Sequence, residues 1–197
     1  SFSSASRLAV ESGSVELSEY EVVDLILGKQ RTTAIGRGAF EPRFQAFGEA
    51  MKSALRDYVA NGGNLVVSGS YALSDLWYSP LATDDDRTFA KQTLHASFAG
   101  DMATQRGVVR MPVTKFSATT AELEFSTELN SEIYCVESPE VVRPADKETQ
   151  TILRYRSNNR SAATAYRGDY GVVLLGFPFE TIASADSRKE LMQKMLD

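Results

Sequence analysis

Apolar residues arrive in two rhythms along this chain. Short unbroken runs have the length and punctuation of buried strands. Tyr20–Leu27 (Tyr-Glu-Val-Val-Asp-Leu-Ile-Leu) is stopped by Gly28, and Asn64–Ser68 follows the pair Gly62-Gly63. Between them the spacing turns helical, with Phe44, Phe47, Met51, Leu55, Tyr58 and Val59 on one stripe. Pro42 suits the first turn of that helix and Gly62-Gly63 its end, which predicts a helix over Pro42–Ala60. A further helix through Leu73, Leu76 and Trp77 follows the second strand. Strand, helix, strand, helix in this order predicts a parallel sheet covered by helices.

From residue 107 the rhythm changes. Gly107–Val113, Ala121–Phe125, Glu132–Val136, Thr151–Arg156 and Ala162–Arg167 read as strands in meander order, with Ser157-Asn158-Asn159-Arg160 as a hairpin turn. A last strand, Gly171–Leu175, precedes a helix from about Ala185, packed through Leu191, Met192, Met195 and Leu196 and capped by Ser184 or Asp186. The expectation is one α/β domain over residues 1–197. Its fold class is a flavodoxin-like parallel sheet flanked by helices, with a β-rich insertion in the second half. A length of 197 residues suits a single core.

The run Val172-Val-Leu-Leu-Gly-Phe-Pro-Phe-Glu180 concentrates the candidate chemistry. An apolar strand that breaks at Gly-Phe-Pro and ends in a carboxylate delivers Glu180 to the carboxyl edge of the sheet, where open α/β folds keep their sites. Two other loops belong at that edge: Gly28-Lys29-Gln30 and Ser68-Gly69-Ser70-Tyr71. The small residues around Ser70 suit a strand-to-helix elbow, yet Ser70 needs a base to act as a nucleophile. The sole histidine, His95, falls in a helical stretch away from any strand end, so the alternative to a catalytic Ser70 is a helix cap. Glu180 is read as a loop-holding carboxylate before a catalytic one. Lys29 and Gln30 either bind a ligand or pair with Glu180. Asp75 faces the same cleft, and Asp24, inside an apolar strand, calls for a buried partner.

The three segments Tyr20–Gln30, Gly62–Tyr71 with Ser74-Asp-Leu-Trp77, and Leu175–Ile182 together resemble the amidotransferase-like domain of large secreted bacterial proteins known as xanthan lyases or golvesin-related. The resemblance runs from about Ala9 to Leu196. It implies a fold related to class I glutamine amidotransferases and a secreted or cell-envelope setting. Against the Phe-His-Pro-Glu signature of those enzymes, Pro178 or Phe179 stands where the His belongs and Ser70 or a neighbour where the nucleophilic Cys belongs. Only Glu180 remains in register. The resemblance therefore implies a non-catalytic module that binds a carbohydrate or cell-wall ligand or packs against neighbouring domains of the parent polypeptide. Its ligand-binding candidates are Lys29, Gln30, Ser68, Ser70, Tyr71, Phe179 and Glu180. The alternative is an atypical Ser hydrolase or xanthan-lyase-like envelope enzyme using Ser70, Asp75 and Glu180.

Composition narrows the partners. The net charge is −5, with scattered basic residues, which argues against nucleic acid. No apolar run reaches the ~20 residues that span a bilayer, so no membrane insertion is expected. One Cys (Cys135) and one His make no zinc site, and neither a metal nor another cofactor is expected. Asp84-Asp85-Asp86 reads as a capping, solvated turn and Cys135 as a buried inert thiol. The start at Ser1 without Met and the end at Leu196-Asp197 in a helical pattern read as a piece of a longer polypeptide.

Overall fold

The computed structural model describes residues 2–196; Ser1 and Asp197, on which the reading of the chain's ends partly rests, lie outside the described residues. In chain order the elements are α1 (Arg7–Glu11), β1 (Val22–Gly28), β2 (Thr33–Ile35), β3 (Phe40–Arg43), α2 (Glu49–Ala60), β4 (Asn64–Gly69), α3 (Ser74–Tyr78), α4 (Asp84–Gln92) and β5 (Ala96–Phe98). Then follow β6 (Val108–Met111), β7 (Ala121–Glu124), β8 (Val142–Pro144), β9 (Gln150–Tyr155), β10 (Ser161–Arg167), β11 (Gly171–Leu175) and α5 (Ala185–Leu196).

One seven-stranded sheet, in the order β1-β4-β11-β10-β9-β6-β7, organises the chain. Only β1, β4 and β11 run parallel; every other neighbouring pair is antiparallel. The sheet is thus mixed where a parallel one was expected. The meander strands continue the parallel block on one side instead of interrupting it. This follows from connection length: β9, β10 and β11 are joined by short turns, which permit only antiparallel pairing.

Alternation along the strands separates two cores. Leu65, Val67, Val172 and Leu174 meet Met51, Leu55, Tyr58 and Val59 of α2, with Phe89 of α4. Val66, Val173 and Leu175 point the other way, toward Leu191 and Met195 of α5 and the stacked rings of Phe125 and Phe177. On that second face β1 is open, and Ile26 is 52% exposed. The expected fully buried first strand is therefore a half-covered edge strand.

The helix expected from Pro42 begins at Glu49. Pro42 lies in β3, whose pairing with β2 makes a small arm over residues 33–43. Phe44 is exposed with φ +65°, while Phe47 is buried against Phe89. Both fit the helical stripe by spacing alone. Glu132–Val136 forms no strand; Asn130 Oδ1 accepts from the amides of Glu132 and Ile133 and turns the chain instead. Asp84-Asp85-Asp86 opens α4. Thr83 and Asp86 form a capping box there, and Asp86 and Asp85 hold the buried Lys52 at 2.5 and 3.2 Å. Ser184 caps α5 through the amide of Ser187.

Candidate functional site

The carboxyl ends of β1, β4 and β11 bring the three expected loops together. Gly28, at φ +57°, turns β1 into Lys29, and Ser70 donates its amide to the Gly28 carbonyl at 2.9 Å. β11 ends at Leu175 and is followed by Gly176, where a Cβ would run into the carbonyl of Glu140. Glycine is required there because the segment before β8 crosses so close. The chain then enters the single turn Phe179–Thr181 that carries Glu180.

Side-chain partners differ from those expected. Lys29 Nζ lies 2.7 Å from both carboxylate oxygens of Glu137, not against Glu180. Glu180 Oε1 accepts from Tyr134 Oη at 2.6 Å; desolvation first, and the Glu180 carboxylate second, push the phenol well above its ordinary range. Asp75 faces away from the cleft chemistry. Its carboxylate accepts from the amides of Thr32 (2.7 Å) and Ala46 (2.8 Å) and the Thr32 hydroxyl (3.1 Å), latching both ends of the β2–β3 arm. The side chain of Gln30 is exposed. Tyr71 lies under the Arg31 guanidinium at 4.7 Å. Phe179, expected among the ligand-binding residues, is nearly buried and serves the core together with the fully buried Phe177.

Ser70 is 1% exposed and its hydroxyl has no hydrogen-bond partner, so it neither meets a base nor caps a helix. The left-handed backbone that marks a strained elbow falls among the described non-glycine residues at Arg37, Phe44, His95, Met102 and Asn159, not around Ser70. His95 lies past the end of α4, in the link directly before β5, not inside the helix. Its Nδ1 lies 2.6 Å from Asp146 and its Nε2 3.0 Å from Tyr170 Oη. Cys135 is half-buried in an irregular segment, Sγ against the Thr127 carbonyl.

The cap of α3 is a residue that sequence reasoning missed. Glu140 is fully buried, and its two carboxylate oxygens accept from the amides of Leu73 (2.9 Å) and Ser74 (2.6 Å). Its own amide donates to Gly176 O, and its carbonyl accepts from Tyr155 Oη, both at 2.6 Å. Burial pushes its carboxyl up to about 7, against the opposing pull of the two amides. The only signal in the sequence was an acid inside the otherwise apolar Pro139–Val142 stretch.

Asp24 finds no buried partner. Its carboxyl is pushed up to about 6, first by desolvation and second by the charge of Glu180. The α5-side face of β1 thus carries Asp24, Ile26 and Gly28, with Ser68 paired beside Ile26. A cavity of about 380 Å³ opens here, lined by Ile26, Leu27, Gly28, Lys29, Tyr134 and Glu180. Three buried polar atoms at this edge have no partner: Ser68 Oγ, Ser70 Oγ and Glu180 Oε2. A second cavity of about 330 Å³ lies at the opposite, amino ends of the strands, among Val22, Val66, Phe116, Gly168 and Met195. Among the described residues no cluster of three His, Cys, Asp or Glu side chains could hold a metal ion. No helix among them is long and apolar enough to cross a membrane.

This architecture has relatives among solved structures. A ThuA-like protein from Bacteroides uniformis ATCC 8492 aligns over 90% of this chain and 69% of its own, with a TM-score of 0.54 and 15% identity. The fold is amidotransferase-like. An exo-β-1,4-mannosidase, Op5Man5, from Opitutaceae bacterium strain TAV5 aligns over 92% of this chain with a TM-score of 0.49 and 12% identity. This chain covers only 25% of that enzyme's length. No family model and no curated protein sequence matches.

Proposed function

We propose that the chain is a non-catalytic module on an amidotransferase-like scaffold, binding a carbohydrate or cell-wall ligand at the carboxyl ends of β1, β4 and β11. The observation that carries this reading is Ser70. By the resemblance it, or a neighbour, takes the place of the nucleophile of such a scaffold, and its buried hydroxyl touches no base. Attack by a serine needs its proton removed, and the one imidazole is engaged by Asp146 and Tyr170. The cavity over Ile26 and Glu180 nevertheless supplies acceptors suited to hydroxyl groups.

The β1–β4–β11 block is read as the centre of a flavodoxin-like sheet, extended by the antiparallel strands. The resemblance to xanthan-lyase and golvesin-related proteins supports placing the module in a larger secreted or envelope protein, beside neighbouring domains. Turnover is the direct test. Ester, amide and glycan substrates are expected to give the same background rate with wild type and Ser70→Ala. A turnover abolished by Ser70→Ala would overturn the reading in favour of a Ser70 hydrolase.

A further inference from the structure

The free charges of the strand-end cavity have one sign. Lys29 is neutralised by the bidentate contact with Glu137, and Arg31 is stacked on Tyr71. What faces the open side of β1 is acidic. Asp24 and Ile26 lie on one face of the strand. Two residues further, the Cβ position of Gly28 is 3.6 Å from Glu180 Oε1 and 3.4 Å from Tyr134 Oη. Tyr134 occupies Oε1 only, leaving Oε2 buried and unpartnered.

A second observation is independent of the acids. Ser68 is 0% exposed and its hydroxyl is also unpartnered. Parallel pairing with Ile26 puts Ser68 on the same face of the sheet as Ile26, directly behind the cavity lining. Buried polar groups in folded proteins are nearly always hydrogen-bonded. A carboxylate oxygen and a hydroxyl left over at the same edge of the sheet call for a ligand that brings donors. Two carboxylates without a cation call for those donors to be positively charged. A neutral sugar satisfies the first demand and leaves the second.

We propose that the Asp24–Glu180 corner selects ligands carrying an ammonium group, an amino sugar over its N-acetylated or acidic counterparts. The ammonium would sit against Glu180 Oε2 with Asp24 behind it, beside the half-exposed ring of Tyr134. This rests on the strand-end binding reading and names its ligand class.

The test is titration of ¹⁵N-labelled protein, at constant pH and ionic strength, with four probes: glucosamine, N-acetylglucosamine, glucuronic acid and ethanolamine. Glucosamine is expected to bind at least tenfold more tightly than N-acetylglucosamine, and glucuronic acid not at all. Glu180→Gln and Asp24→Asn, each checked for an unchanged amide spectrum elsewhere, should cut that preference to under threefold. Equal binding of glucosamine and N-acetylglucosamine, unchanged by Glu180→Gln, would overturn the ammonium selection and leave the carbohydrate reading standing. Binding of ethanolamine with indifference to all three sugars would do the reverse. No response to any probe overturns both.

Discussion

Glu140 offers the sharpest test of how the strand ends are held. Glu140→Ala removes the acceptors of the Leu73 and Ser74 amides and hollows a fully buried site. Each orphaned buried amide costs about 1–3 kcal/mol, and the lost side chain adds a cavity. Against this, deletion relieves the expense of burying a charge. The carboxyl rises from an ordinary 4.5 to about 7. At about 1.4 kcal/mol per pK unit this amounts to about 3 kcal/mol. The sign follows from proton uptake. Between those values the folded state binds more protons than the unfolded state, so this contribution is present below pH 4.5 and lost as pH rises through 7. Wild type therefore loses about 2.5 kcal/mol through this group between pH 5 and pH 8. Glu140→Ala should cost about 5 kcal/mol at pH 5 and about 2–3 kcal/mol at pH 8. Glu140→Gln keeps the shape and one acceptor, and its stability relative to wild type should improve by about 2.5 kcal/mol over the same range. Urea unfolding followed by the fluorescence of Trp77, the single tryptophan, gives each value. A deficit identical at both pH values would refute a desolvated carboxylate at this position. A cost below about 1 kcal/mol for Glu140→Ala at pH 5 would refute its role as the cap of α3.

Three further outcomes follow from the same geometry. Asp24, raised from 3.8 to about 6, also favours its protonated form when folded. Its penalty grows as pH rises through 6, so Asp24→Asn should stabilise the protein above pH 7 and not at pH 4. The gain is about 1 kcal/mol once solvent screening of this exposed residue is allowed for; urea midpoints at the two pH values decide it. Ser70→Ala deletes an unpartnered buried hydroxyl, so it should leave stability within about 0.5 kcal/mol of wild type or raise it slightly. A loss above about 1 kcal/mol would mean that the hydroxyl has a partner. Asp75→Ala frees both ends of the β2–β3 arm. It should cost about 2 kcal/mol and raise hydrogen exchange for residues 32–46 ahead of the rest of the chain, measured by mass spectrometry.

The parallel block was legible because its signals are local: apolar runs of strand length, glycine stops, and one helical stripe between them. The three strand-end loops were placed together correctly for the same reason. What escaped depends on partners distant in sequence. Lys29 chose Glu137, 108 positions away, over Glu180. Glu180 in turn took Tyr134, from a segment whose alternation suggested a strand. Pro42 and Phe44 fit a helical stripe, yet Asp75 pins Ala46 and the residues before it join a β-arm. Glu140 gave almost no signal, since a lone acid beside a proline, just after Glu137 and Ser138, reads as surface despite the apolar residues that follow it. Its burial is created by β8, β11 and α3 converging on it. The parallel pairing of β1, β4 and β11 and the β9–β10 hairpin came out as read; what local signals did not reveal is that the short β10–β11 turn joins both into one mixed sheet.

Binding at the strand ends is tested most directly by mapping where a sugar touches the protein. With millimolar glucosamine, amide shifts in the ¹⁵N spectrum should cluster at Ile26–Lys29, Ser68–Ser70, Tyr134 and Glu180. Shifts gathered instead around Gly168 and Gly171, at the cavity on the amino ends of the strands, or no shifts at all, would contradict a ligand site at the carboxyl edge.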